Sequence, residues 1–227
     1  MPSLACTPAC PADPLHLRDL PCLSPARAGA LYHAVRAVES VPGAVAEVGG
    51  YRGDTAHQLA RVLAHVMPQK LLHVFEGFHG LPARGTPDDA VRVPLPPGWQ
   101  VGSETGTLAL ELGTAEYMTT PAQFWRTIAP WDAQVRLHAG WFHEQLPDFG
   151  QPLCLAHIDA DLYASTVIAL GYCAPLIVPG GVLIIDDDQS EWTGVTRAVD
   201  AWLATHRAAW VIDRDAERRS CIAWKRG

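Results

Sequence analysis

The sequence predicts an α/β fold: a doubly wound, mostly parallel sheet with helices on both faces and an antiparallel hairpin at its C-terminal edge. Three observations carry this. Apolar runs of strand length alternate with segments of helical period along the chain. The runs are continuously apolar rather than alternating, as strands covered on both faces require. The last two runs, Trp210 to Asp213 and Cys221 to Trp224, are joined only by the polar turn Arg214 to Arg219. That link is too short for a crossover, so these two strands pair antiparallel.

The elements follow in order. Ser24-Pro25 opens a helix with Leu31, Val35 and Val38 on one face, the proline suiting a first helical position, and Pro42-Gly43 breaks it. Ala44 to Val48 is a strand, followed by the turn Gly49-Gly50-Tyr51-Arg52-Gly53. Asp54 or Thr55 then caps a helix whose Leu59, Val62, Leu63 and Val66 recur at helical spacing. Leu71 to Phe75 is the second strand and ends at Glu76. Residues 77–120 show no sustained period and hold Val93-Pro94-Leu95-Pro96-Pro97-Gly98 and an apolar run near Leu108 to Leu112. An irregular stretch this long in a compact domain serves as a lid or binding segment. A short helix from Gln123 to Ile128 leads to a strand from Val135 to His138. Strands at Leu153 to Ile158 and Val182 to Ile185 then alternate with helices at Ser165 to Ile177 and Val195 to His206, which with the terminal hairpin makes seven strands.

Composition narrows the function classes. A net charge of −7 with no basic run argues against a nucleic-acid surface. No apolar stretch approaches the ~20 residues of a membrane span, and the N-terminus lacks the order of a secretory signal. Residues 1–26 carry six prolines and the cysteines Cys6, Cys10 and Cys22. With only His16 as a further ligand they match no strong zinc pattern, so a proline-stiffened arm is expected. Cys154, Cys173 and Cys221 fall in strand or helix patterns and read as small buried hydrophobes, which fits a reducing, cytoplasmic setting.

Five aspartates in two clusters point to chemistry. His157-Ile158-Asp159-Ala160-Asp161 and Ile184-Ile185-Asp186-Asp187-Asp188 each end an apolar strand. Carboxylates this close repel one another unless a cation or a proton lies among them, and oxygen ligands at strand tips suit Mg2+ or another hard divalent ion. Asp186 and Asp187 are consecutive, so both reach one ion only if the backbone turns there. His157 is expected to face away from Asp159's neighbours as a hydrogen-bonded core residue. Asp188 reads as incidental. The glycine turn after the first strand allows close approach of a ligand, and Glu76 at the next strand tip can accept hydrogen bonds from the ribose of a nucleoside cofactor. The turn is not G-x-G-x-x-G, which lowers the case for NAD. Trp141 and Phe142 can lie against an adenine ring, His79 and His143 can touch substrate, and Trp192 can wall an acceptor pocket.

Taken together, these stretches resemble the macrocin O-methyltransferase family of class I S-adenosylmethionine-dependent enzymes, which methylate sugar hydroxyls of natural products. The resemblance runs through Glu47 to Gly53, Glu76-Gly77-Phe78-His79-Gly80-Leu81-Pro82, Gly140-Trp141-Phe142 with Leu146-Pro147, and Asp159-Ala160-Asp161-Leu162-Tyr163-Ala164-Ser165-Thr166 with Pro179-Gly180-Gly181 and Asp186-Asp187. It implies a Rossmann-like methyltransferase domain over 27–227, preceded by the 1–26 arm and carrying an acceptor-binding insert at 77–130. It places the cofactor, S-adenosylmethionine, on Glu47, Gly49, Gly50, Tyr51, Thr55, Glu76, Gly77, Phe78, Trp141, Phe142 and Asp159. Asp159, Asp186 and Asp187 become Mg2+ ligands and Asp161 the general base. Glu76 stands in place of the family's aspartate, Gly50 in place of a larger residue, and residues 83–130 depart from the family pattern.

The expected reaction is methylation of a hydroxyl, within a vicinal diol, on a small-molecule acceptor, and self-association is an option by analogy. The alternatives are methyl transfer to a carboxylate or nitrogen, a metal-dependent hydrolase built on the same aspartates, and a non-catalytic binding protein. The hydrolase leaves Glu76 and the glycine turn without a purpose.

Overall fold

The computed structural model describes residues 23–81, 91–99, 107–110 and 117–227. Residues 1–22 of the cysteine and proline arm, including Cys6, Cys10, His16 and Cys22, lie outside the described residues, as does Pro82, while Pro25 and Ala26 belong to α1. In chain order the elements are α1 (Pro25–Ala37), β1 (Ala44–Val48), α2 (Asp54–Val66), β2 (Leu72–Glu76), β3 (Val91–Pro94), β4 (Thr107–Leu110), α3 (Pro121–Ile128), β5 (Val135–Ala139), α4 (Phe142–Gln145), β6 (Leu153–Ile158), α5 (Tyr163–Leu176), β7 (Ile177–Asp186), α6 (Thr193–His206), β8 (Trp210–Asp215) and β9 (Ser220–Lys225). Among the described residues seven strands form one sheet in the order β5-β2-β1-β6-β7-β9-β8, and β3 pairs with β4 in a separate two-stranded sheet. The first five are parallel, while β9 runs antiparallel to β7 and β8 antiparallel to β9. The doubly wound sheet and its C-terminal edge hairpin are those the sequence predicts.

Side chains alternate between two cores along each strand. Val45, Val182 and Ile184 face a core shared with α1, α2 and α3. Ala46, Val48, Leu183 and Ile185 face the one shared with α5 and α6. A shift in pairing between Leu153 and Leu155 places Cys154 and Leu155 together on the first face, so from there the odd residues of β6 look toward α1. All three free cysteines among the described residues are buried, and burial raises their thiol pKa values, fitting them as core residues.

Two details differ from expectation. The helix α2 is capped by Gly53, in a left-handed conformation with φ of 91°, while Asp54 falls inside the first turn and Thr55 after it. Glycine supplies the positive φ here in place of a capping side chain. Within 77–130 the structure contains a hairpin, β3 with β4, that the sequence reading left as irregular. Val93, Trp99 and Leu108 are buried in the α5 side of the core, and a Cβ on Gly171 of α5 would come within 2.2 Å of Pro96. These parts of the insert are packed onto the body of the domain. Of the described insert residues, Gly77, Gly80, Leu81 and Tyr117 line the cavity described next.

Candidate active site

The sheet order reverses between β1 and β6. Chain segments proceed outward from β1 to β2 and β5 on one side, and from β6 to β7 on the other. Loops leaving the carboxyl ends of β1 and β6 therefore part company, and the crevice between them is where open α/β sheets bind ligands. A cavity of about 430 Å³ occupies this place, within the size range of small-molecule sites. Its walls come from the glycine turn after β1, Glu76 and Gly77 after β2, Trp141 and Phe142 after β5, and Asp159 and Asp161 after β6. Asp187, Glu191 and Trp192 after β7 complete it with Arg27 of α1 and Arg219.

The glycine turn is held by close packing. A Cβ on Gly49, whose φ is 96°, would lie 1.8 Å from the Asp159 carbonyl oxygen, and one on Gly50 would lie 2.7 Å from Val74. Gly49 lets the ends of β1 and β6 converge and Gly50 lets the turn lie against β2, so their first role is to shape the crevice. Glu76 ties the turn down: its Oε2 accepts from the Gly50 and Tyr51 amides at 2.8 and 2.7 Å, and its Oε1 accepts from the Phe78 amide at 2.8 Å. A carboxylate offers about four acceptor positions, so Oε1 keeps capacity for a ligand hydroxyl. Tyr51 and Phe78, flanking this carboxylate, both have positive φ, of 41° and 61°. His79 stacks on Trp141 with ring centroids 5.0 Å apart, and His143 lies on the same indole at 6.5 Å.

Across the cavity, the aspartates separate into two groups. Asp159, Asp161 and Asp187 each bring a carboxylate oxygen within 4.8 Å of the others, and all three line the cavity. Both Asp161 and Asp187 have positive φ, 57° and 59°, so the backbone turns at each strand end and points these side chains inward. Burial and mutual repulsion push their pKa values up. Burial and Asp186 raise Asp159 well above the usual carboxylate range, and burial with Asp187 pushes Asp161 up to about 7. Asp187 is raised by burial too, although Arg27 partly opposes it. Three oxygen donors that repel one another in this way suit a hard divalent cation.

The second group is His157, Asp159 and Asp186, also within 4.8 Å of one another. Register explains it. Glu47 pairs with His157, and His157 with Ile184, so Glu47, His157, Asp159 and Asp186 all share the α1 face. His157 Nε2 lies 2.8 Å from Asp186 Oδ2, and its Nδ1 lies 3.5 Å from Glu47 Oε1. Burial alone would lower His157, but Asp186 first and Glu47 second hold it up to about 10. Burial also favours the neutral form of Asp186, yet His157 and Arg27 keep this carboxyl below its ordinary range. Glu47 is fully buried, and burial pushes its carboxyl up.

Several expected site residues are therefore placed differently. Glu47 does not reach the cavity; its position in β1 points it at His157. Phe78 lies outside the cavity wall and its ring packs against Phe124. His157 shares the face of Asp159 and Asp186 rather than turning from it, because residues two apart in a strand face the same way. The structure does not bring Asp186 into the oxygen-only group with Asp159 and Asp187, since its Oδ2 is held by His157 and by the Arg27 guanidinium. Asp188 is fully buried and bound in a fork by Arg214, with both contacts at 2.6 Å, so it anchors β7 to β8. Gly49, Gly50, Tyr51, Thr55, Glu76, Gly77, Trp141, Phe142, Asp159, Asp161 and Asp187 do line the cavity. Sequence reasoning missed Arg27, Tyr117, Ser165, Glu191 and Arg219 on its walls; nothing local to these residues signals a contact made across 132 or more residues, as in the case of Arg27.

The fold and crevice are those of a class I methyltransferase. Residues 25–226 match the Macrocin-O-methyltransferase (TylF) family, and the chain belongs to it. Among its relatives is the 8-demethyl-8-(2,3-dimethoxy-alpha-L-rhamnosyl)-tetracenomycin-C 4'-O-methyltransferase of Streptomyces olivaceus, 34% identical over 78% of this chain and 67% of that protein. Mycinamicin III 3''-O-methyltransferase of Micromonospora griseorubida is 29% identical over 69% of this chain, which spans 60% of that relative's length. The O-methyltransferase NovP has the same architecture, with a TM-score of 0.68 and 25% identity over 88% of this chain and 79% of that one. The class of enzyme is thus an O-methyltransferase. Among the described residues no helix is long and apolar enough to cross a membrane.

Proposed function

We propose that this chain transfers the methyl group of S-adenosylmethionine to a hydroxyl of a sugar carried by a small-molecule natural product, with a divalent cation at the acid cluster. One observation carries the reading: a single cavity holds both the Glu76-braced glycine turn and the converging oxygens of Asp159, Asp161 and Asp187. The activities named for the relatives, on a rhamnosyl tetracenomycin and on a mycinamicin, support the choice of acceptor class.

In this reading the methyl-donor substrate lies with its ribose on Glu76 and its adenine against Trp141, whose indole is stiffened by the His79 stack. Asp159 and Asp187 would hold a divalent ion, which when bound would supply Lewis-acid chemistry to an acceptor hydroxyl. Asp161 serves as the base. The positive φ that aims it inward keeps its carboxylate at the cavity wall beside Asp159 and Asp187. As Asp161 takes the hydroxyl proton, an oxygen lone pair forms the new C–O bond and the C–S bond breaks, releasing S-adenosylhomocysteine. Trp192 and Tyr117 line the same cavity and supply apolar wall against the acceptor. His157, held between Glu47 and Asp186, keeps the rear of the acid cluster neutralised.

The test is methyl transfer from isotopically labelled S-adenosylmethionine to deoxysugar glycosides, in Mg2+ and after exhaustive chelation. Label in the glycoside, lost with EDTA and restored by Mg2+, is the expected result. Transfer unaffected by chelation would remove the cation from the reading, and no S-adenosylhomocysteine binding at all would remove the methyltransfer.

A further inference from the structure

Arg27 enters the acid cluster from outside the sheet. It lies in the first turn of α1, where Ser24 caps the helix by accepting from the Arg27 amide at 3.3 Å. Its Nε donates to Asp186 Oδ2 at 3.0 Å, its Nη2 bonds the same oxygen, and Nη2 also lies 3.4 Å from Asp159 Oδ2. The guanidinium therefore bridges Asp159 of the oxygen-only group and Asp186, the expected ligand left out of it. A divalent ion drawn to Asp159 would meet a fixed positive charge on the same oxygen. Two cations cannot share that position without strong repulsion.

We propose that Arg27 is a built-in competitor for the divalent cation: its guanidinium clamps Asp159 to Asp186 and must swing away for the ion to bind. The proposal rests on the metal reading given above. The backbone of Arg27 is fixed by the helix cap, but its side chain is 24% exposed and lines the cavity, so it has open space to move into. When it leaves, Asp186 is freed on one side while His157 still holds it on the other. Only then can Asp159, Asp186 and Asp187 approach one ion together. Metal affinity is consequently set by a residue that is not a ligand.

The experiment is calorimetric titration of Mg2+, and separately Mn2+, into the full chain without methyl donor or acceptor, for wild type, Arg27→Gln and Arg27→Lys. Loss of the charge-assisted clamp is expected to tighten metal binding of Arg27→Gln by about tenfold or more. Its metal-free melting temperature should fall, and the upward shift on adding Mg2+ should exceed that of wild type. Arg27→Lys, which keeps the charge, should stay near wild-type affinity and guards against misfolding of the glutamine variant. Equal affinity in wild type and Arg27→Gln, or weaker binding by the variant, overturns the proposal while leaving the metal reading intact. Absence of binding by every variant overturns the metal reading itself, and the competitor with it.

Discussion

Asp187 and Asp188 are neighbours in the chain at the same strand end, yet they belong to different parts of the molecule. Asp187 turns into the cavity beside Asp159 and Asp161. Asp188 is fully buried on the far side in a two-point ion pair with Arg214, which also reaches Asp200. The same division separates Asp161, on the cavity wall, from Asp186, held by His157 and Arg27. Residue type and sequence position are alike across the divide. Backbone conformation at the strand end, and the basic residue that faces each carboxylate, decide which side a given aspartate falls on. A cluster of acids is thus part reactive surface and part scaffold, and the two parts should respond differently to substitution.

The largest contrast should come from Asp161. Asp161→Asn keeps the shape but cannot take a proton, and turnover should fall by about 10²–10⁴-fold. S-adenosylhomocysteine affinity by calorimetry should stay as in wild type, and undiminished turnover would take Asp161 out of the base role. Asp188→Asn should act through folding instead. It breaks the two-point pair, leaves Arg214 only the exposed Asp200, and should cost roughly 3 kcal/mol in a denaturant titration, at the low end for breaking a buried pair because Arg214 keeps that second partner and its side chain is 21% exposed. Turnover of the folded fraction should change little.

A smaller effect lies away from the cluster. His73 on β2 is nearly buried, with its Nδ1 3.0 Å from His138 Nε2, and both rings pack near Phe149. Burial, His138 and Arg136 lower its pKa from 6.5 to about 4; burial lowers His138 as well. Because the folded value lies below the unfolded one, an acidifying solution protonates the unfolded chain first. Stability is therefore complete above pH 6.5 and is lost as the pH falls toward about 4. The melting temperature of His73→Leu should fall less over that interval than that of wild type, and parallel profiles would contradict this assignment.

The contrast between the two groups of acids also measures how far the sequence could be read. Strand and helix alternation, the terminal hairpin and the carboxylates at strand tips were legible because each is a local pattern, written in runs of Val, Ile and Leu and their ends. Glu76 and the glycine turn were legible as a pair, although the pair is joined directly by hydrogen bonds and Gly49 turns out to be required by the Asp159 carbonyl. What could not be read depends on register and on long-range approach. Glu47, His157 and Asp186 meet because three parallel strands pair in one register, with a shift near Cys154 that no single strand announces. Arg27 reaches its carboxylates across 132 and 159 residues. The β3 and β4 hairpin is short, and proline follows its first strand, so its period was too brief to separate from a loop.

The most direct test of the division compares two adjacent substitutions, Asp187→Asn and Asp188→Asn, for Mn2+ binding by calorimetry, with the folded fraction of each fixed by circular dichroism. If the cavity-facing acids hold the cation, Asp187→Asn loses Mn2+ affinity while remaining as stable as wild type, and Asp188→Asn keeps the affinity while losing stability. Retained Mn2+ binding in Asp187→Asn together with its loss in folded Asp188→Asn would contradict the account.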